Sequence, residues 1–319
     1  MLQSKFSNEK LYRKGCLSMN INRTLLKITS MGMVAMSAGL LLGGCATAPE
    51  EQGSLRKEVV YAVTAGNKLV SFNAGQPGKI LSQMPLVGLQ DKETVAGIDY
   101  RVAKGWLYLL GSSGRLYRID TGSGAVRMIG AGPAVTLPAG TEIGFDFNPT
   151  VDRIRLVSGD GRNMRLHPDS GALVDSDPNA PGVQVDGKLA YAAGDVHAGR
   201  PASIVAAAYT YNKNDEKITT NFAIDAARGT LVTQGSMEGK LPAVSPNTGQ
   251  LFTVGSLGLG SVEKVSFDIG DLSNVAYMAM AKSGAMKSSW FEIDLATGKA
   301  RLIGTVGISE PLVGIAIEP

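Results

Sequence analysis

Two aspartates occupy the same place in a repeated tetrapeptide: Gly97-Ile98-Asp99-Tyr100 returns 47 residues later as Gly144-Phe145-Asp146-Phe147. Carboxylates repeated on the innermost strand of successive units would converge on one axis. There their oxygens suit a hard cation such as Ca2+, or a polar ligand. The same repetition also follows if each Asp simply accepts backbone N–H groups at a turn. Asp99 and Asp146 are therefore the candidate channel and ligand residues, Ca2+ is the one cofactor their chemistry suggests, and no catalytic residue is assigned.

Other polar groups offer less. The histidines are His167 and His197; neither has a third partner for activating a nucleophile or holding a metal. His197 lies two residues from Asp195, which on a strand would put both on one face. Asp175-Ser176-Asp177-Pro178-Asn179 alternates oxygen ligands as a calcium loop does, but Ala180 and Asp186 stand where such a loop needs Gly and a bidentate Glu. Arg153, Arg155, Arg162 and Arg165 could meet an anion or form the solvated face of alternating strands. The chain has no G-x-S-x-G elbow, no H-E-x-x-H pair, no P-loop and no dinucleotide fingerprint after a strand. Two tryptophans, Trp106 and Trp290, give a flat redox cofactor little to stack on.

Strands must position these residues. From Gly97 to Gly130 four runs rich in Leu, Ile, Val, Tyr and Trp alternate with Gly111-Ser112-Ser113-Gly114 and Asp120-Thr121-Gly122-Ser123-Gly124. That is strand composition bounded by residues that tolerate the positive φ of tight hairpins. The turn after the third run is echoed at Asn73, Asp169, Asp225 and Asp294, at spacings of 47, 49, 56 and 69 residues. Four strands every 40–50 residues predict an all-β fold, a β-propeller of four-stranded antiparallel blades. Five blades are expected, and the strand-like run Gln250-Leu251-Phe252-Thr253-Val254 leaves room for a sixth. The run near 312–317 has first-strand character with nothing after it, while Val59-Val60-Tyr61-Ala62-Val63 lacks a first strand. The two ends are expected to share a blade, which removes open sheet edges.

The N-terminus speaks to location. Arg23 and Lys27 precede an apolar run from Met31 to Leu42, followed by Leu42-Gly43-Gly44-Cys45. A positive segment, a short apolar core and small residues make a secretory signal, and the run is shorter than the ~20 residues that span a bilayer. The tetrapeptide resembles a bacterial lipobox, which implies cleavage before Cys45 and lipidation of its thiol. Thr47 then favours the outer membrane. Residues 1–44 are read as this leader, with the true start at Met19, 45–57 as a flexible tether, and 58–319 as one propeller domain.

Loss of 1–44 removes six basic residues and one acid, so a formal charge of +3 becomes about −2. A weakly acidic domain lacks the electrostatic footprint of a nucleic-acid binder. Past Cys45 there is no cysteine, and so no disulfide or thiolate metal site.

Taken together, the two tetrapeptides, the segment Leu107 to Tyr117, Asn148-Pro149-Thr150-Val151-Asp152-Arg153-Ile154-Arg155 and Ser245-Pro246-Asn247-Thr248-Gly249-Gln250-Leu251 resemble the bacterial family called domain of unknown function 4394. The resemblance covers about Val59 to Glu318; it implies a propeller and no particular reaction. The expected function is a membrane-anchored envelope lipoprotein whose propeller binds a protein or a glycan. The competing expectation is a metal-dependent hydrolase or lactonase at the channel mouth, using Asp99 and Asp146.

Overall fold

A computed structural model describes residues 53–319. Leader residues 1–44, Cys45 and the first part of the tether lie outside the described residues. Among the described residues five sheets stand round one axis as the blades of a propeller. The first contains β1 (Val59–Thr64), β2 (Lys68–Asn73) and β3 (Gln76–Pro85), with β20 (Leu312–Ile317) paired antiparallel to β1 on the inner edge. The second runs β4 (Val95–Arg101), β5 (Trp106–Gly111), β6 (Leu116–Ile119) and β7 (Val126–Ile129). In the third, β8 (Ile143–Asn148), β9 (Arg153–Ser158) and β10 (Asn163–Leu166) keep only an isolated bridge, Leu166 to Leu173, where a fourth strand would lie.

The fourth blade is β12 (Ile204–Tyr209), β13 (Asn221–Asp225), β14 (Thr230–Gln234) and β15 (Gln250–Ser256), with the short β11 (Ala190–Tyr191) added in parallel outside β15. The fifth is β16 (Val265–Ile269), β17 (Ala276–Met280), β18 (Ser289–Ile293) and β19 (Ala300–Thr305).

Two details depart from the sequence expectation. The run beginning at Gln250 is the outer strand of the fourth blade, not the seed of a sixth. Asp225 ends the second strand of its blade, whereas Asn73 ends and Asp120 follows a third strand. The 69-residue spacing after Asp225 arises from that offset and from the long connection between β14 and β15, and the 56-residue spacing before it from the long segment between β10 and β12.

Inner strands pack in the order β4, β8, β12, β16, β20 and back to β4. Apolar clusters fill each seam, one example being Ile98, Leu109 and Tyr117 of the second blade against Val63, Leu69 and Ala316 of the first. Trp290 stacks on Tyr277 at 5.2 Å, meets Phe72 edge-on, and donates its indole N–H to the Ala74 carbonyl at 2.9 Å. Glycine at the inner-strand repeat serves close approach. A Cβ on Gly97 would lie 2.6 Å from Phe145 Cβ of the next blade, and one on Gly144 would lie 2.7 Å from the Ala207 nitrogen. Gly97→Ala is expected to destabilise the ring by about 1–3 kcal/mol through overpacking, read by urea unfolding; an unchanged midpoint would show that the seam has slack.

Residues assigned to the tether but within the described chain are held against the ring. The Arg56 amide donates to Asn73 Oδ1 at 2.9 Å, and its guanidinium reaches the Tyr277 hydroxyl and the Glu292 carboxylate.

Candidate functional site

The inner strands align residue for residue: Gly97-Ile98-Asp99-Tyr100, Gly144-Phe145-Asp146-Phe147, Ala206-Ala207-Ala208-Tyr209, Ser266-Phe267-Asp268-Ile269 and Gly314-Ile315-Ala316-Ile317. Three of the five equivalent positions are therefore Asp. The carboxylates of Asp99, Asp146 and Asp268 each place an oxygen within 4.8 Å of the others, and all three residues are buried. Asp268 is the member that the repeat did not single out. Its tetrapeptide keeps the aromatic and the acid but has Ser for Gly and Ile for the second aromatic, a degraded signal that a search with both positions relaxed would have found.

Each of these acids joins its strand to the next blade. Asp99 accepts the N–H of Tyr100 at 2.7 Å and that of Phe147 on β8 at 2.6 Å. Asp146 accepts the N–H of Tyr209 on β12 at 3.0 Å. Asp268 accepts the N–H of Ile269 and that of Ile317 on β20, both at 2.6 Å. The seams β12–β16 and β20–β4 have Ala208 and Ala316 instead and carry no such bond. The acids thus pin three seams of five.

Removing carboxylates from water disfavours their charged form, and like charges add to it. Burial, then the charges of Asp268 and Asp271, holds Asp99 well above the ordinary range. Burial, then Asp99 and Asp268, does the same for Asp146. Asp268 is pushed up to about 8 by burial and by Asp271, and Asp271 itself, in the turn after β16, rises to about 7 through burial. Backbone N–H bonds oppose the shifts without cancelling them. Chemically this cluster can retain protons or offer oxygen ligands to a hard divalent cation.

A cavity of about 320 Å3 lies on the same axis. Along the inner strands its lining stops one residue short of the carboxylate position, at Ile98, Phe145, Ala207, Phe267 and Ile315. The starts of the five inner strands and the β7–β8 loop around 137–142 form its wall. Inter-blade connections gather here because fourth strands end where first strands begin. Beyond the acids, at the opposite end of the ring, a second hollow of about 250 Å3 lies among Val102, Phe147, Pro149, Tyr211 and Glu216. The turn bearing Arg56's partner Asn73 belongs to that end as well.

The other sequence candidates do not join the axis. His167 accepts the Asp169 N–H through Nδ1 at 3.2 Å. Asp195 and His197 share a turn rather than a strand: Asp195 accepts the His197 N–H at 2.8 Å and the Thr253 N–H at 2.6 Å. Asp175 accepts the N–H groups of Asp177 and Gln184, which closes a loop. The arginines are dispersed, with Arg155 and Arg165 on Asp186, Arg162 on Asp160, and Arg153 on backbone carbonyls. Cys45 lies outside the described residues.

A family model described as a domain of unknown function (DUF4394) matches residues 68–316. No curated protein matches the chain. Among solved structures, a chain of the one titled "Crystal structure of Nidogen/Laminin Complex" is 13% identical; the match covers 82% of this chain and 98% of that one, with a TM-score of 0.45.

Proposed function

Because the chain belongs to the DUF4394 family, whose name assigns no activity, we propose a function from the ring itself: a binding module of the bacterial envelope that recognises a protein or a glycan through the face around the axial cavity. The cavity of about 320 Å3, framed by inter-blade loops, carries this reading. Ligand sites are concave, mostly apolar and furnished with a few polar groups, and functional residues concentrate on loops held by a rigid scaffold.

The lipobox-like segment ending in Cys45 supports attachment to a membrane. Arg56 is bound near Asn73, at the end of the axis away from the cavity. Intact-mass measurement of the exported chain is expected to show loss of 1–44 and an acylated Cys45. Capture from envelope extracts, paired with a glycan array, is expected to return a partner that depends on this face. An intact unmodified leader would remove the anchor, and an empty capture with no glycan hit would remove the module.

A second reading has its own observation: three carboxylates whose oxygens lie within 4.8 Å of one another. They would hold a divalent cation, and a metal-dependent hydrolase or lactonase would use it to polarise a carbonyl. Calorimetry with Ca2+, Mg2+ and Mn2+ is the check. Heat that vanishes in Asp99→Ala supports this reading, and no heat with any of the three ions removes it.

A further inference from the structure

One acidic side chain, Glu142, lines the axial cavity, and the one basic residue of its lining, Lys264, is exposed. Glu142 closes the β7–β8 loop and reaches across the mouth, where its Oε1 accepts the N–H of Val265 at 3.3 Å. Val265 starts β16, and β16 is not a neighbour of β8 in the ring. The contact therefore spans the opening instead of belonging to a seam. Among the described residues no salt bridge includes Glu142, although the residue is half-buried. Most of the surrounding wall is apolar, including Leu137, Ile143, Phe145, Val265, Phe267 and Leu312. Four hydroxyls, on Thr94, Ser112, Thr141 and Ser266, complete the polar part of the lining.

We propose that the axial cavity binds a primary ammonium group carried on a short apolar stem, with Glu142 as its counter-ion. The claim rests on the reading of this face as the recognition face and names the chemistry it selects. A carboxylate set among apolar walls without a bonded cation is completed by a positive charge from the ligand, whereas a second anion would meet like charge and a desolvated surface. Three N–H donors of an ammonium match one carboxylate and hydroxyls of the same cavity lining. Burial, the largest influence on Glu142, raises its carboxyl above the ordinary range even against the backbone N–H groups of Val265 and Lys264 and the charge of the exposed Lys264 side chain, and a cation bound directly to it would bring it back down. Size points the same way. At ~30 Å3 for each water-sized portion of liquid, the cavity holds a molecule of about ten non-hydrogen atoms.

Phenethylamine, 2-phenylethanol and phenylacetate share a frame of that size and differ in the group offered to Glu142. Titration of the purified exported chain with each, followed by calorimetry and by protein NMR, tests the assignment. Phenethylamine is expected to bind saturably, the alcohol at least ~10-fold more weakly and the carboxylate not at all. Glu142→Gln should reduce the preference for amine over alcohol to less than about 3-fold while leaving the melting temperature near that of the parent. Phenylacetate binding as tightly as the amine, an unchanged amine preference in Glu142→Gln, or absence of amine binding would each overturn the proposal. The three-ligand comparison on the unsubstituted chain decides the matter even if that variant folds poorly. Partner capture that survives any of these failures would show that the face recognises its partner by other chemistry, so the two claims fail separately.

Discussion

Raising the pH from about 4 to about 8 is expected to lower the melting temperature of this chain, because the acids on the axis keep their protons only while it is folded. Asp268 titrates near 3.8 when unfolded and near 8 in the ring, and Asp271 near 7. Below the lower value both states are protonated, and the contribution of these groups is fully present. Between the two values the unfolded chain releases protons that the folded one retains, so stability falls as pH rises through that window. Asp99 and Asp146 shift in the same direction.

The lowered acids cannot mask this trend. Asp120, Asp160, Asp169, Asp195, Asp294 and Glu310 have folded values below ordinary ones, so their contribution is lost only as pH drops beneath about 4. Replacing Asp99, Asp146 and Asp268 together by Asn leaves one accepting oxygen per site, which at positions 99 and 268 sets an amide against a second N–H. That variant should begin less stable but show a much shallower profile across the window, keeping only what Asp271 contributes through its own burial, read by thermal melts at a series of pH values. A slope as steep as the parent's would place the responsible groups elsewhere. A divalent cation held by the three carboxylates would also flatten the parent's profile, so melts with and without added Ca2+ separate ion binding from proton retention.

Arg155→Met is expected to cost about 3–5 kcal/mol, the loss that follows when a buried ionic partner is removed. The guanidinium is essentially inaccessible and bonds four groups: the Tyr209 hydroxyl at 3.1 Å, Asn163 Oδ1 at 2.7 Å, Asn247 Oδ1 at 2.6 Å, and the Asp186 carboxylate. These lie on β12, β10, the turn before β15 and the loop after the third blade, so one side chain ties the third blade to the fourth. Arg165 also holds Asp186, with two bonds of 2.8 Å, which keeps the penalty from rising further. Arg155→Lys should recover little, because one ammonium cannot reach four partners in a plane. Urea unfolding gives the number; a loss below about 1 kcal/mol would mean that the network adds nothing beyond what its hydrogen bonds to water supply.

Local pattern and long-range contact account for what the sequence disclosed. Blades were legible because each strand-and-turn signal sits within ten residues, and Asp99 and Asp146 stood out because their flanking Gly and aromatics repeat intact. Asp268 was hidden by substitutions at those flanks. Asp225 misled the register because Asp225-Ala226-Ala227-Arg228-Gly229 supplies an ordinary turn one strand early in a blade whose β14–β15 connection has no such turn. Glu142 carried no signal at all. Its partner Val265 is 123 residues away, and only closure of the ring brings the two together. The four arginines from 153 to 165 looked like one patch, but Arg155 on β9 is buried against Asp186 while Arg162, in the turn before β10, remains at the surface with Asp160.

Partner capture by the parent chain and by Ala96→Leu bears most directly on the whole account. Ala96 lines the cavity and sits half-buried at the edge of the apolar seam between the second and third blades, so the larger side chain takes up space at the mouth, and a melting temperature matching the parent's shows that the seam still holds. The account predicts that the parent retains its envelope protein or glycan and that the equally folded variant loses it. Equal retention by both would contradict the assignment of recognition to the axial cavity.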